Sequence, residues 1–189
     1  MNWNELKDKH FKWACENGQH DTEHGYSHWA MLIITEISEA VQAERAGNVA
    51  SREMFELNEE YNIMPFQANF ESFIKDTIED EIADIILRIL DYCGLHNIDL
   101  SNIEKETDAF LKIEQEKELL KGLLLTNLGY YLCKMFTGND HIVLESFIMT
   151  HAISCCSVFC KLHDIDIMWH IEQKMKYNQS RPRLNGKRY

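Results

Sequence analysis

An all-α helical bundle is the fold class this sequence predicts, on three observations. Only two prolines and eight glycines occur in 189 residues, so the closely spaced turn signals of an all-β chain are missing. Apolar residues, 45% of the chain, recur at three- and four-residue spacing rather than in alternation. Capping residues and glycines stand where those stretches should begin and end. With 11% aromatic residues the chain has the material for the core of a single domain spanning residues 1–189.

The elements follow in order. Trp3, Leu6, His10 and Trp13 set a first helix over residues 4–16, closed by Gly18. Ser27 is the expected N-cap of a second helix that stops before Gly47. Ser51 caps a shorter third, and residues 62–69, which contain Pro65, read as a loop. Phe70, Ile74, Ile78, Ile82, Ile85 and Ile89 place one long amphipathic helix over residues 68–95. Ser101 and Glu104 have the spacing of a capping box, and helices over residues 119–136, 140–163 and 167–177 complete the chain.

The chain also matches itself. Residues 32–48 align without gaps with residues 123–139, both ending in Gly-Asn. Leu95-His-Asn-Ile-Asp-Leu100 matches Leu162-His-Asp-Ile-Asp-Ile167. These matches divide the domain into a first repeat over residues 1–100, a degenerate second repeat over 101–177 and a basic tail over 178–189. Two such helical units would bury against each other the apolar faces that neither buries alone.

Charge and composition exclude several classes of function. A formal charge of -12 argues against a nucleic-acid surface, because binding the phosphate backbone requires clustered Lys and Arg. The N-terminus lacks the pattern of a signal peptide, and no apolar run approaches the ~18 residues of a membrane span. The expected location is the cytoplasm. Cys15, Cys93, Cys133, Cys155, Cys156 and Cys160 form no CxxC pair and read as reduced, buried thiols. From Lys174 onward the chain carries six Lys and Arg residues and no acid, which suits an anionic ligand.

Glu36 and Glu39 stand three residues apart on one predicted helix, and Glu81 and Asp84 three apart on another. Each pair therefore shares a helix face. Mg²⁺ takes oxygen ligands and leaves positions for water and phosphate, which two such pairs on adjacent helices could provide. Such spacing is also common on solvated faces, so the pairs alone are a weak signal. The repeat adds a control: projection onto the second copy puts Asn127 and Tyr130 at the first pair and Ile148 and His151 at the second. Apolar replacements imply that the acids point inward, where they need counter-charge. His20, His24 and His28 do not form a metal site, since Gly25 interrupts the helix their spacing would require. Asp76, Glu79 and Asp80 are expected on the solvated face or behind the ligands.

Glu36-Ile-Ser-Glu39 followed by Glu81-Ile-Ala-Asp84, with the tail from Lys174 through Arg181-Pro-Arg to Gly186-Lys-Arg, resembles the MazG-like all-α nucleoside triphosphate pyrophosphohydrolases, a group that includes the dimeric dUTPases. The resemblance covers the first hundred residues and the last twenty; the stretch between about Glu104 and His163 departs from the short members. It implies a Mg²⁺ site, with Mn²⁺ as an alternative, made by Glu36, Glu39, Glu81 and Asp84. It also implies attack of metal-bound water on the α-phosphate of a nucleoside triphosphate, releasing a monophosphate and pyrophosphate, as in the removal of non-canonical nucleotides. Either Glu36 or Glu39 would take the proton. Lys174, Asn178, Arg181 and Lys187 are candidates to bind the phosphates. His28 and Trp29, just before the first acid pair, are candidates to bind the base, with Trp29 equally suited to the core. A homodimer is the expected assembly. The rival readings are a catalytically silent helical binding or regulatory protein, a dUTPase-type enzyme, and a ferritin-like carboxylate bundle. The last expects Glu-x-x-His pairs, which neither acid pair contains.

Overall fold

The computed structural model describes residues 2–113 and 142–186. Among them are eight α-helices and no strand. They are α1 (Trp3–Glu16), α2 (Tyr26–Ala46), α3 (Arg52–Glu60), α4 (Phe66–Phe73), α5 (Ile78–Leu95), α6 (Ile103–Ile113), α7 (Ile142–Leu162) and α8 (Ile167–Ser180), followed by a 3₁₀ turn at Arg183–Gly186.

Helix α5 is the axis of the molecule. It is buried nearly all round, its charged residues included, with Ile82, Ile85, Ile86, Ile89 and Leu90 fully buried, as in a helix surrounded by partners. Helices α1, α2, α7 and α8 pack against it, and α6 packs on α7. Gly94 sets how closely α1 can approach, since a Cβ there would lie 2.5 Å from the Phe11 side chain. A smaller cluster joins α3, α4 and α8 through Phe55, Phe70, Ile74 and Tyr177, with the Phe70 and Tyr177 rings stacked at 4.4 Å.

Several helices end in the Schellman motif, in which a left-handed residue turns the chain back and two N–H groups satisfy the last carbonyls. At Gly47 (φ 70°) the Asn48 N–H reaches the Ala43 carbonyl. At Asn97 (φ 51°) and Asp164 (φ 56°) the bonds are Ile98 to Cys93 and Ile165 to Cys160. The last two turns occupy the matched hexapeptides, and each also packs a histidine on an aromatic ring one turn back, His96 on Tyr92 and His163 on Phe159.

The boundaries differ from the sequence expectation in four places. The helix expected over residues 68–95 is two helices: Thr77 caps α5 through the Asp80 N–H, and Asp76 before it takes a left-handed φ of 60°. Apolar spacing continues across this break, which is why periodicity alone missed it. Residues 62–69 are loop only as far as Pro65, which stands at the N-cap of α4, a position that needs no N–H. Gly25, not Ser27, occupies the N-cap of α2. The Ser101–Glu104 box does not form, because Ser101 bonds Asp99 and Glu104 accepts from the Trp3 indole at 2.8 Å. Cys93, Cys155, Cys156 and Cys160 are buried as expected, but Cys15 is exposed, on the outer face of α1. Cys133, Asn127 and Tyr130 and the expected helix over 119–136 lie outside the described residues. No helix among the described residues is long and apolar enough to cross a membrane.

Candidate functional site

Helix α2 lies along α5, and their facing stripes bring the acids together. Oxygen atoms of Glu36, Glu39 and Glu81 all lie within 4.8 Å of one another. Asp84, one turn further along α5, faces the same cavity of about 230 Å³. Glu39, Asp76 and Glu81 also line a second, more open cavity of about 450 Å³. Glu36 and Glu81 are buried, Asp84 is half-buried, and Glu39 is exposed.

The counter-charges come from two directions. Arg88, four residues after Asp84 on the same face, donates from Nε to Glu36 Oε1 at 2.8 Å. Lys174, from α8, places Nζ 2.8 Å from Asp80 Oδ2 and 2.7 Å from Asp84 Oδ2. Burial alone would lower the Lys174 ammonium, but Asp84 and Asp80 outweigh it and hold it above the ordinary lysine range. Against the five acids Glu36, Glu39, Asp80, Glu81 and Asp84, the ion pairs among the described residues set half-buried Arg88 and buried Lys174.

That imbalance shows in the carboxyls. Burial, with Asp84 and Asp80 adding to it, pushes Glu81 up to about 8, and its Oε2 is buried without a partner. Burial and Asp84 also raise Glu36, against the opposing pull of Arg88. Oxygens on one Mg²⁺ at about 2.1 Å lie at most about 4.2 Å apart, so the three carboxylates, spread over up to 4.8 Å, would draw together slightly around the ion. The cluster, with its surplus negative charge and an orphaned oxygen, fits a hard divalent cation held by Glu36, Glu39 and Glu81, with Asp84 alongside.

The remaining sequence candidates divide. Lys174, Asn178 and Arg181 line the cavity. Lys174, expected to contact the phosphates, is paired with Asp80 and Asp84. Asn178 is 7% exposed, with Oδ1 unpartnered. Trp29 is 4% exposed, belongs to the main core and stacks on His20, so it does not offer the ring face expected for a base. His28 stacks on His24 at 3.9 Å and is not among the residues lining the cavity; burial, with His24 and the Arg88 guanidinium adding to it, lowers its imidazole. Lys187 lies outside the described residues. Of the projected second-copy positions, Ile148 is core and His151 is half-buried between Phe110 and Phe147.

Sequence reasoning missed several residues. Arg88 had a signal, since it continues the Glu81–Asp84 face by one more turn. Of the two places expected for Glu79 and Asp80, the solvated face or behind the ligands, the structure has both buried, in the first turn of α5 where the helix dipole favours acids, with Asp80 joined to Asp84 through Lys174. Glu79 accepts from the Ala50 N–H and Asp80 from that of Asp76, whereas Asp76 itself is exposed. Their burial follows from the break before Thr77. His10, Trp13 and Gln19, which line the cavity from α1 and the turn after it, had no signal apart from tertiary packing. Burial lowers the His10 imidazole to about 4, so it is neutral near pH 7. Beneath the cavity, His20 Nε2 lies 2.7 Å from the buried Asp91 carboxylate.

The fold and cluster thus define a class: an all-helical bundle with a buried carboxylate cavity faced by cations. The chain matches no family model, no curated protein and no solved structure against which it was compared.

Proposed function

We propose that this chain is a Mg²⁺-dependent nucleoside triphosphate pyrophosphohydrolase of the MazG-like kind. The observation that carries the reading is the convergence of Glu36, Glu39 and Glu81 within 4.8 Å, in a cavity that also holds Asp84, Lys174 and Arg181. A bound Mg²⁺, or Mn²⁺, would neutralise phosphate charge and make a water acidic enough to act as a nucleophile near neutral pH. Glu36 is tied to Arg88, so exposed Glu39 is the better placed of the two to take the proton. Arg181 would contact the phosphates, while Lys174, held by Asp80, would fix Asp84. The common turn geometry and ring packing at residues 95–100 and 162–167 support reading the chain as a diverged duplication with a single surviving site.

The test is pyrophosphate release from a panel of canonical and modified NTPs and dNTPs with Mg²⁺. Wild type should release pyrophosphate from at least one, and Glu39→Gln and Asp84→Asn should each lose on the order of a hundredfold or more. No metal-dependent release from any member would overturn the reading and leave a helical binding protein.

A further inference from the structure

The cavity lining falls into two chemically different groups. Acids from α2 and α5, with Arg88, Lys174 and Arg181, make one; the other is His10, Trp13 and Gln19, from α1 and the turn after it, with His10 near enough to Asp84 and Arg88 to feel both charges. These three side chains bring no positive charge of their own to a phosphate. They offer two rings stacked at 5.7 Å and 30°, and a primary amide. Trp13 is half-buried, so part of its indole remains accessible.

The backbone at Gln19 is held by the end of α1. Its N–H reaches the Ala14 carbonyl and that of Gly18 reaches Cys15, a Schellman ending with Gly18 at φ 84°. Arg183 packs over Gly18 and pairs with Asp21, and the Leu184 N–H bonds the Asn17 carbonyl, so the segment after α8 braces this turn. His10 and Asn178, two of the residues lining this cavity, also carry buried polar atoms without hydrogen-bond partners, Nδ1 and Oδ1. A ligand with an aromatic ring and hydrogen-bonding groups at its edge matches the lining of half-buried indole, imidazole and primary amide.

We infer that Trp13, His10 and Gln19 form a nucleobase subsite, in which the indole stacks on the base and Gln19 and His10 hydrogen-bond its edge. The inference rests on the proposed function, because it requires the phosphates beside the acids. It moves base recognition from the α2 start, where His28 and Trp29 stand, to the end of α1.

The test is calorimetric binding, with Mg²⁺, of the non-hydrolysable α,β-imido analogues of dUTP and dATP and of inorganic tripolyphosphate. Wild type should bind at least one nucleotide analogue more tightly than tripolyphosphate. Trp13→Leu and Gln19→Ala should weaken that analogue on the order of tenfold each while leaving tripolyphosphate within about twofold, with circular dichroism confirming the fold. Gln19 lies outside the helices, so its variant reports even where Trp13→Leu disturbs packing. Equal losses for both ligands, no loss for either, or wild-type binding indifferent to the base would overturn the subsite. In those cases pyrophosphate release by wild type would leave the proposed function standing. Failure of both probes to bind, with no pyrophosphate release, would remove both.

Discussion

Glu81 sits where the electrostatic cost of the cavity concentrates, and two predictions follow from its surroundings. Its carboxyl is held protonated to about 8 by burial and by Asp84 and Asp80. Glu81→Gln therefore removes a charge that the metal-free protein already suppresses. It should raise stability without metal by about 1 kcal/mol, or about 2–4 °C in melting temperature, and abolish stabilisation by Mg²⁺. A melt in EDTA and one in Mg²⁺ check both halves; a destabilised variant in EDTA would contradict the assignment. Lys174 behaves oppositely. Lys174→Met strands Asp80, which is 1% exposed, and should cost about 3–5 kcal/mol in urea denaturation. Lys174→Met with Asp80→Asn should recover much of that loss, because the double variant removes the stranded charge.

At the scale of elements, the break between α4 and α5 places the acids. Were residues 68–95 one helix, Glu79, Asp80 and Glu81 would stand mid-helix with no free N–H groups nearby. The Thr77 cap makes them the first turn of α5 instead. Thr77→Ala should cost about 1 kcal/mol of stability and also weaken Mg²⁺ binding, measured by calorimetry. A loss of stability with unchanged metal affinity would show that the cap and the site are independent. The crossing of α1 over α5 is the second such device. Gly94→Ala would push Phe11 away, costing about 1–3 kcal/mol.

For the whole molecule, the raised Glu81 carboxyl couples folding to pH and to metal. Between its ordinary value of 4.5 and about 8, the folded chain holds a proton that the unfolded chain has released. Metal-free stability should therefore fall as pH rises through that window. A bound cation displaces the proton, so Mg²⁺ affinity should rise over the same window. Melts at about pH 6 and about pH 8.5, with Mg²⁺ and with EDTA, should show the metal-induced increment larger at the higher pH. An increment independent of pH would remove Glu81 from the metal's ligands.

Much of the bundle was legible in the chain because it rests on local rules. Apolar periodicity predicted α1, α2, α7 and α8 closely, and Gly18 and Gly47 marked their helix ends because the left-handed turn there favours a residue without a Cβ. The pairs Glu36–Glu39 and Glu81–Asp84 were visible as shared faces, since a three-residue spacing fixes direction on any helix. Tertiary structure decided which faces meet and what else meets there. It buried Trp29, bound Lys174 to Asp80 and Asp84, and brought Trp13, His10 and Gln19 across α5 to the cavity. Those outcomes depend on contacts between residues far apart in the chain, such as Lys174 and Asp80, 94 positions apart, which no local spacing encodes. The chain by itself determined the helices and the acids they present; only packing decided which cations answer those acids and which rings wall the cavity.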